Sequence, residues 1–157
     1  MDDIIVYIEI SKGTNVKYEY DHILNALICD RILYTPFMFP FNYGFIPNTL
    51  SGDGDPLDAL IYMDESLVPG SYIKCRLLGA LETTDEKGND TKLIMVPSKM
   101  VSPQEANIEQ IKDLPNMFIE KVSYFYKHYK DLENKKVIIG NVLDKEASYK
   151  IYHNSKI

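Results

Sequence analysis

The feature that most restricts the fold is a succession of short runs rich in β-branched and aromatic residues, broken at close intervals by Gly, Pro and Asp. The runs over 4–10, 15–20, 27–33, 60–63, 72–81, 92–96 and 137–143 have the length and composition of strands, and turn-forming clusters separate them. Lys12-Gly13-Thr14 lies between the first two runs, so a hairpin joining them is expected. Short strands at these spacings predict a small closed or nearly closed β-barrel.

Between 114 and 132 the period changes. Phe118, Val122, Phe125, Tyr129 and Leu132 recur at steps of three and four, which predicts a helix with one apolar face and Pro115 in its first turn. A shorter helix is expected over 103–111, and another over 145–149 behind Asp144 as N-cap. The fold class is therefore mainly β, of α+β type, with two or three helices outside a barrel.

Composition narrows the classes of function. A chain of 157 residues suffices for one domain with one core, and no repeat, low-complexity tract or linker divides it. Its 45% hydrophobic and 25% charged residues are ordinary for a folded chain. The net charge of -6 argues against general affinity for nucleic acid, which depends on Lys and Arg displacing counterions, so a polyanion ligand requires a local basic pocket or metal ions. Cys29 and Cys75 both lie in apolar, strand-like runs and read as small core residues. Met1-Asp2-Asp3 is acidic and no signal-type or membrane-length apolar segment follows, so a reducing, cytoplasmic location without membrane attachment is expected.

The most informative segment is Asp53-Gly54-Asp55-Pro56-Leu57-Asp58. Three carboxylates on one tight turn repel each other unless cations sit among them, and hard oxygen ligands suit Mg²⁺. A calcium EF-hand would need Gly and Glu where this chain has Asp58 and Asp64, and Pro56 weakens that reading further. A second acidic cluster spans 84–92, with Asp85, Asp90 and Lys92. Asp90 and Lys92 are two apart at a strand entry and so share one face. Lys17 and Glu19 stand in the same relation on the second run, and Glu9 interrupts the first. Taken singly, each of these charges is equally compatible with a solvated surface.

Together the segments carry a resemblance. Ile8-Glu9-Ile10, Lys17-Tyr18-Glu19, Asp30-Arg31, Asn42-Tyr43-Gly44, the Asp53–Asp58 signature, Thr84-Asp85-Glu86, Asp90-Thr91-Lys92 and His128-Tyr129-Lys130-Asp131-Leu132 occur in this order. The chain thus resembles the family I soluble inorganic pyrophosphatases, the bacterial type in particular. The resemblance implies a five-stranded OB-like closed barrel and hydrolysis of pyrophosphate to two phosphates with several Mg²⁺ ions per site. It implies Asp53, Asp58 and Asp90 as ligands of the tightest ion, with Asp58 shared with a second. Asp85 and Asp90 would hold a further ion, Glu9 and Glu19 would complete the acidic rim, and Asp55 would accept the proton of the attacking water. Lys17, Arg31, Lys92 and Lys130, with the hydroxyls of Tyr43 and Tyr129, would bind the phosphates. It also implies a homo-oligomer, a hexamer of paired trimers, for which His128 and the helix from Leu114 are candidate contacts. One departure is Phe39, where the family usually has Tyr before the Pro that precedes its Asn-Tyr-Gly segment.

Two other classes stay open at this level. An OB-like barrel can be a nucleic-acid or protein-binding module with merely solvated acidic loops. A metal phosphatase acting on nucleotides or polyphosphate would use the same residue types.

Overall fold

In the computed structural model, which describes residues 3–157, β1 (Ile4–Ile10) is paired along both edges. It runs antiparallel to β4 (Asn42–Ile46) on one side and to β6 (Tyr72–Asp85) on the other. From β4 the order continues through β5 (Leu57–Ile61) and β7 (Gly88–Pro97) back to β6, closing a ring of five strands. Closure leaves no unpaired edge within the ring. β6 is long enough to serve two neighbours on one side: β1 pairs with its first residues, and β8 (Ile138–Leu143) pairs from Ala80 onward. Met1 and Asp2, part of the acidic start noted above, lie outside the described residues.

The expected hairpin between the first two runs does not form. β1 spends both edges in the ring, so β2 (Val16–Asp21) pairs instead with β3 (Ala26–Ile32) as a separate two-stranded sheet. Its turn is held by Asp21 Oδ1, which accepts the amides of Ile23 and Leu24 at 2.9 and 2.7 Å. Most of β3 is exposed, and this corrects the expectation for Cys29: it is exposed, while Cys75 on β6 is buried.

The sequence reading contained no strand at β4, whose Gly44 and flanking prolines hide the strand signal. Gly44 is required there. A Cβ on it would lie 1.8 Å from the carbonyl oxygen of Tyr7 on the paired strand.

α1 (Asn116–His128) follows Pro115, which occupies the cap position and accepts the Phe118 amide at 2.9 Å. The helix stops short of the expected 132. Residues Asp131–Glu133 form a 3-10 turn, Asn134 adopts a left-handed φ of 58°, and Leu132 points to solvent. The helix expected over 103–111 is replaced by two 3-10 turns, Pro103–Glu105 and Ile111–Asp113. Arg76 bridges this segment to β7: its guanidinium donates to the carbonyls of Glu105 and Ile108 at 2.9 and 2.8 Å and to that of Pro97 at 3.2 Å. α2 (Lys145–Ser155) starts as expected, with Asp144 Oδ1 accepting the Ala147 amide at 2.9 Å. Among the described residues no helix is long and apolar enough to cross a membrane.

β5 and the second half of β7 carry core residues on both faces. Leu57, Ala59, Ile61, Leu93 and Met95 join a cluster packed against Tyr149, Ile151 and Tyr152 of α2. The alternating Leu60, Ile94 and Val96 join Val122, Phe125 and Tyr126 of α1. Each of the fully buried Leu, Ile, Val, Met and Phe side chains contributes roughly 1.5–3 kcal/mol over exposure. Because strand side chains alternate, Asp58, Asp90 and Lys92 project on the α1 side with this second set.

Candidate active site

Parallel pairing of β5 with β7 sets Asp58 opposite Lys92, and Asp90 lies two residues earlier on the same face of β7. The Lys92 ammonium, only 5% exposed, donates to Asp58 Oδ2 at 2.8 Å, Asp90 Oδ2 at 2.7 Å and the Tyr43 hydroxyl at 3.0 Å. Burial alone would push the ammonium pKa down. Asp58, with smaller contributions from Tyr43, Tyr126 and Asp90, instead holds it well above its ordinary value. The Asp90 carboxyl is pushed up to about 6 by burial, against the pull of Lys92 and with the added repulsion of Asp58. Tyr43 on β4 stays protonated, its pKa raised by burial and by the nearby Asp58.

The two-stranded sheet closes over this group. Glu9 of β1 is buried and accepts the Tyr20 amide at 2.9 Å, which ties β2 to the ring. Burial pushes its carboxyl up to about 7; the Tyr20 amide opposes that, while Asp58 and Glu19 add to it. Lys17 and Arg31 are cross-strand partners, and Asp30 lies beside both, 3.4 Å from Lys17 and 2.5 Å from Arg31. Burial pushes Asp30 up, but Lys17 and Arg31 outweigh it and hold the carboxyl below its usual range. Arg31 also donates to Glu133 at 3.0 Å, while its Nε is buried without a partner.

From the far side come the residues that end α1. Tyr129 stacks on Phe125 with centroids 5.1 Å apart, and burial pushes its hydroxyl up to about 12. Lys130 lies 3.7 Å from both Asp85 and Glu86, and burial lowers its ammonium pKa against their opposing pull. The turn ahead of β5 is shaped by Gly54 at φ 87°, and Asp53 Oδ1 accepts from the Ser51 hydroxyl and, at 3.0 Å, from the Asp55 amide. Asp55 itself is exposed.

One cavity of about 360 Å³ is lined by every metal-, substrate- and proton-handling residue that the resemblance implied: Glu9, Lys17, Glu19, Arg31, Tyr43, Asp53, Asp55, Asp58, Asp85, Asp90, Lys92, Tyr129 and Lys130. A wider hollow of about 650 Å³, between 109–112 and the start of α2, shares no lining residue with it. Within the cavity Asp58 and Asp90 meet on one ammonium, whereas Asp53 is turned onto its own loop. Among the described residues no three carboxylate, imidazole or thiol groups already surround a single point.

A profile of the inorganic pyrophosphatase family matches residues 6–156. The chain belongs to the inorganic pyrophosphatase family. The Nanoarchaeum equitans inorganic pyrophosphatase is 48% identical over 150 residues, covering 95% of this chain and 92% of that one. The Saccharolobus solfataricus enzyme is 48% identical over 135 residues, 86% of this chain and 78% of that one. The solved structure of the Helicobacter pylori inorganic pyrophosphatase superimposes with a TM-score of 0.96 at 43% identity, over 98% of this chain and 91% of that one.

Pyrophosphatases of this family are metal-dependent hydrolases, and the cavity suits such ions. Its acidic donors are all carboxylates, the ligands that hard divalent cations take. The Lys92 position demonstrates that a positive charge between Asp58 and Asp90 is held there by the fold. Phe39 is buried against Phe125, Phe41 and Tyr43, with centroid separations of 4.8, 6.0 and 5.9 Å, so this position serves the aromatic packing under the cavity. Sequence reasoning assigned no role to Asp30, Glu133 or Tyr126. Asp30 could have been found as the immediate neighbour of Arg31, and Tyr126 as the residue four after Val122 on the helix. Glu133 carries no local signal, because the turn after α1 alone brings it to Arg31.

Proposed function

We propose that this chain hydrolyses inorganic pyrophosphate to two phosphates with Mg²⁺, several ions per site, and that the cavity under the β2–β3 sheet is where it does so. Family membership supports the activity. The observation that carries the site is the alternation of carboxylates with Lys17, Arg31, Lys92 and Lys130 around one cavity. Pyrophosphate is highly anionic, and such a lining can bind it only by combining fixed cations with metal-neutralised acids.

In this reading Asp53, Asp58, Asp85, Asp90, Glu9 and Glu19 hold the ions. Bound there, Mg²⁺ would supply charge neutralisation and would ease the loss of a proton from a bound water. The exposed Asp55 accepts that proton. Arg31 offers paired donors to one phosphate, while Lys17, Lys92, Lys130, Tyr43 and Tyr129 fix the transferring and leaving groups. The catalysis is mostly positioning and electrostatics.

We read the whole chain as one domain that assembles as a homo-oligomer, a hexamer, and works in the cytoplasm. Exposed Met117, Tyr124, Leu132 and Ile138 on and after α1 give the assembly apolar contacts. Sedimentation at micromolar concentration tests it, a monomer counting against it. For the activity, phosphate release from pyrophosphate is measured with Mg²⁺ and with chelator. Turnover only with metal, and far above that on nucleoside triphosphates or polyphosphate, is expected. A folded, metal-loaded sample that releases no phosphate rejects the reading.

A further inference from the structure

The Tyr126 hydroxyl is buried, and no hydrogen-bond partner reaches it. As a packing element the residue needs no such group: its ring stacks on Phe41 with centroids 5.6 Å apart and 28° between planes, a role Phe fills equally. A buried hydroxyl left without a partner costs stability, so its presence calls for a use.

The neighbouring ammonium supplies one. Lys92 Nζ lies 5.3 Å from the centroid of the Tyr126 ring and 5.2 Å from that of Tyr43. An ammonium has three N–H donors. In this structure all three are engaged, by Asp58, Asp90 and Tyr43. When Asp58 and Asp90 share their charge with divalent cations their hold on Lys92 weakens, and a buried ammonium short of acceptors is unfavourable. The Tyr126 oxygen is an unused acceptor on a ring already beside that ammonium, and a change of rotamer at the end of the Lys92 chain is the movement that would bring the two together.

We propose that Tyr126 is a positioning residue for Lys92: its hydroxyl accepts the ammonium that metal loading displaces from Asp58 and Asp90, and holds it towards the substrate phosphate. The inference deepens the pyrophosphatase reading and rests on it. It gives Lys92 two partner sets, carboxylates without metal and phenols with it, and makes Tyr126 a determinant of metal affinity without contact to the metal.

The test is Tyr126→Phe in the full chain, which keeps the ring and removes only the hydroxyl. In chelator, its urea midpoint should equal or exceed that of the wild type. Its Mg²⁺ dissociation constant by calorimetry should rise about tenfold, as for one lost charge-assisted bond. The near-ultraviolet tyrosine difference spectrum that Mg²⁺ induces in the wild type should shrink. In a Lys92→Met background the same substitution should leave Mg²⁺ affinity unchanged, because there is no ammonium to hold. Unaltered Mg²⁺ affinity in the single variant, a loss of metal-free stability matching the loss of affinity, or a tenfold effect that persists without Lys92 overturns the proposal. A wild type that binds Mg²⁺ but does not hydrolyse pyrophosphate overturns the functional reading instead, and the calorimetric comparison still decides Tyr126.

Discussion

The Lys92 ammonium lies 2.7 Å from Asp90 Oδ2, two residues earlier on β7, and 2.8 Å from Asp58 Oδ2 on the parallel strand β5. One buried cation thus holds two carboxylates from different strands at the centre of the cavity. Lys92→Met is predicted to leave those acids uncompensated. Removing one partner of a buried ion pair costs about 3–5 kcal/mol. Metal-free stability should fall by about that amount at pH 8 and Mg²⁺ should recover part of it, while turnover drops by at least ~10². Urea titrations with chelator and with Mg²⁺, beside a phosphate-release assay, check this. Wild-type stability in chelator would show that the ion pair contributes nothing.

Asp55 is exposed at the cavity rim, so its replacement should not disturb packing. Asp55→Asn is predicted to fold normally and to lower turnover by at least ~10², the scale for a lost proton acceptor. Near-wild-type turnover would remove Asp55 from that role.

Metal-free stability should depend on pH through Glu9. Its carboxyl titrates near 4.5 when unfolded and at about 7 when folded. Below pH 4.5 both states hold the proton and the stability is fully present. Between the two values the unfolded chain has released it and the folded one has not, so stability falls as pH rises through 7, by roughly 3–4 kcal/mol at most. Asp90, raised to about 6, acts in the same direction from a lower starting pH. Urea midpoints in chelator from pH 4.5 to 8 should decline, and Glu9→Gln should flatten the slope. A wild-type midpoint that climbs over this interval would contradict the assigned shift.

Gly44→Ala is predicted to be severely destabilising although it adds one methyl group. The new Cβ would fall 1.8 Å from the Tyr7 carbonyl oxygen, a backbone atom with no room to yield while Ile8 and Gly44 stay in register. β1 must then part from β4, which also displaces Glu9 and Tyr43. A loss of several kcal/mol in urea unfolding is expected, at the upper end for single substitutions, and an unchanged midpoint would argue against the pairing.

Local chemistry in the sequence determined a good deal. β-branched and aromatic runs marked most strands, step-three and step-four spacing marked α1, and Asp144 marked the start of α2, because each signal lies within a few residues. The residue types of the candidate site were legible for the same reason: acids on a Gly-Pro turn and an acid and a lysine two apart on a strand are local patterns. The assignment of roles came from the order of the motifs. Only the tertiary structure decided which strands met. β1 uses both edges in a closed ring, so β2 turned to β3 and Cys29 was left exposed; Arg76 bonded the Glu105 and Ile108 carbonyls from a distant strand; and the parallel β5–β7 register joined Asp58 to Lys92. Such contacts depend on strand pairing and burial between residues far apart in the chain, and no local period records them.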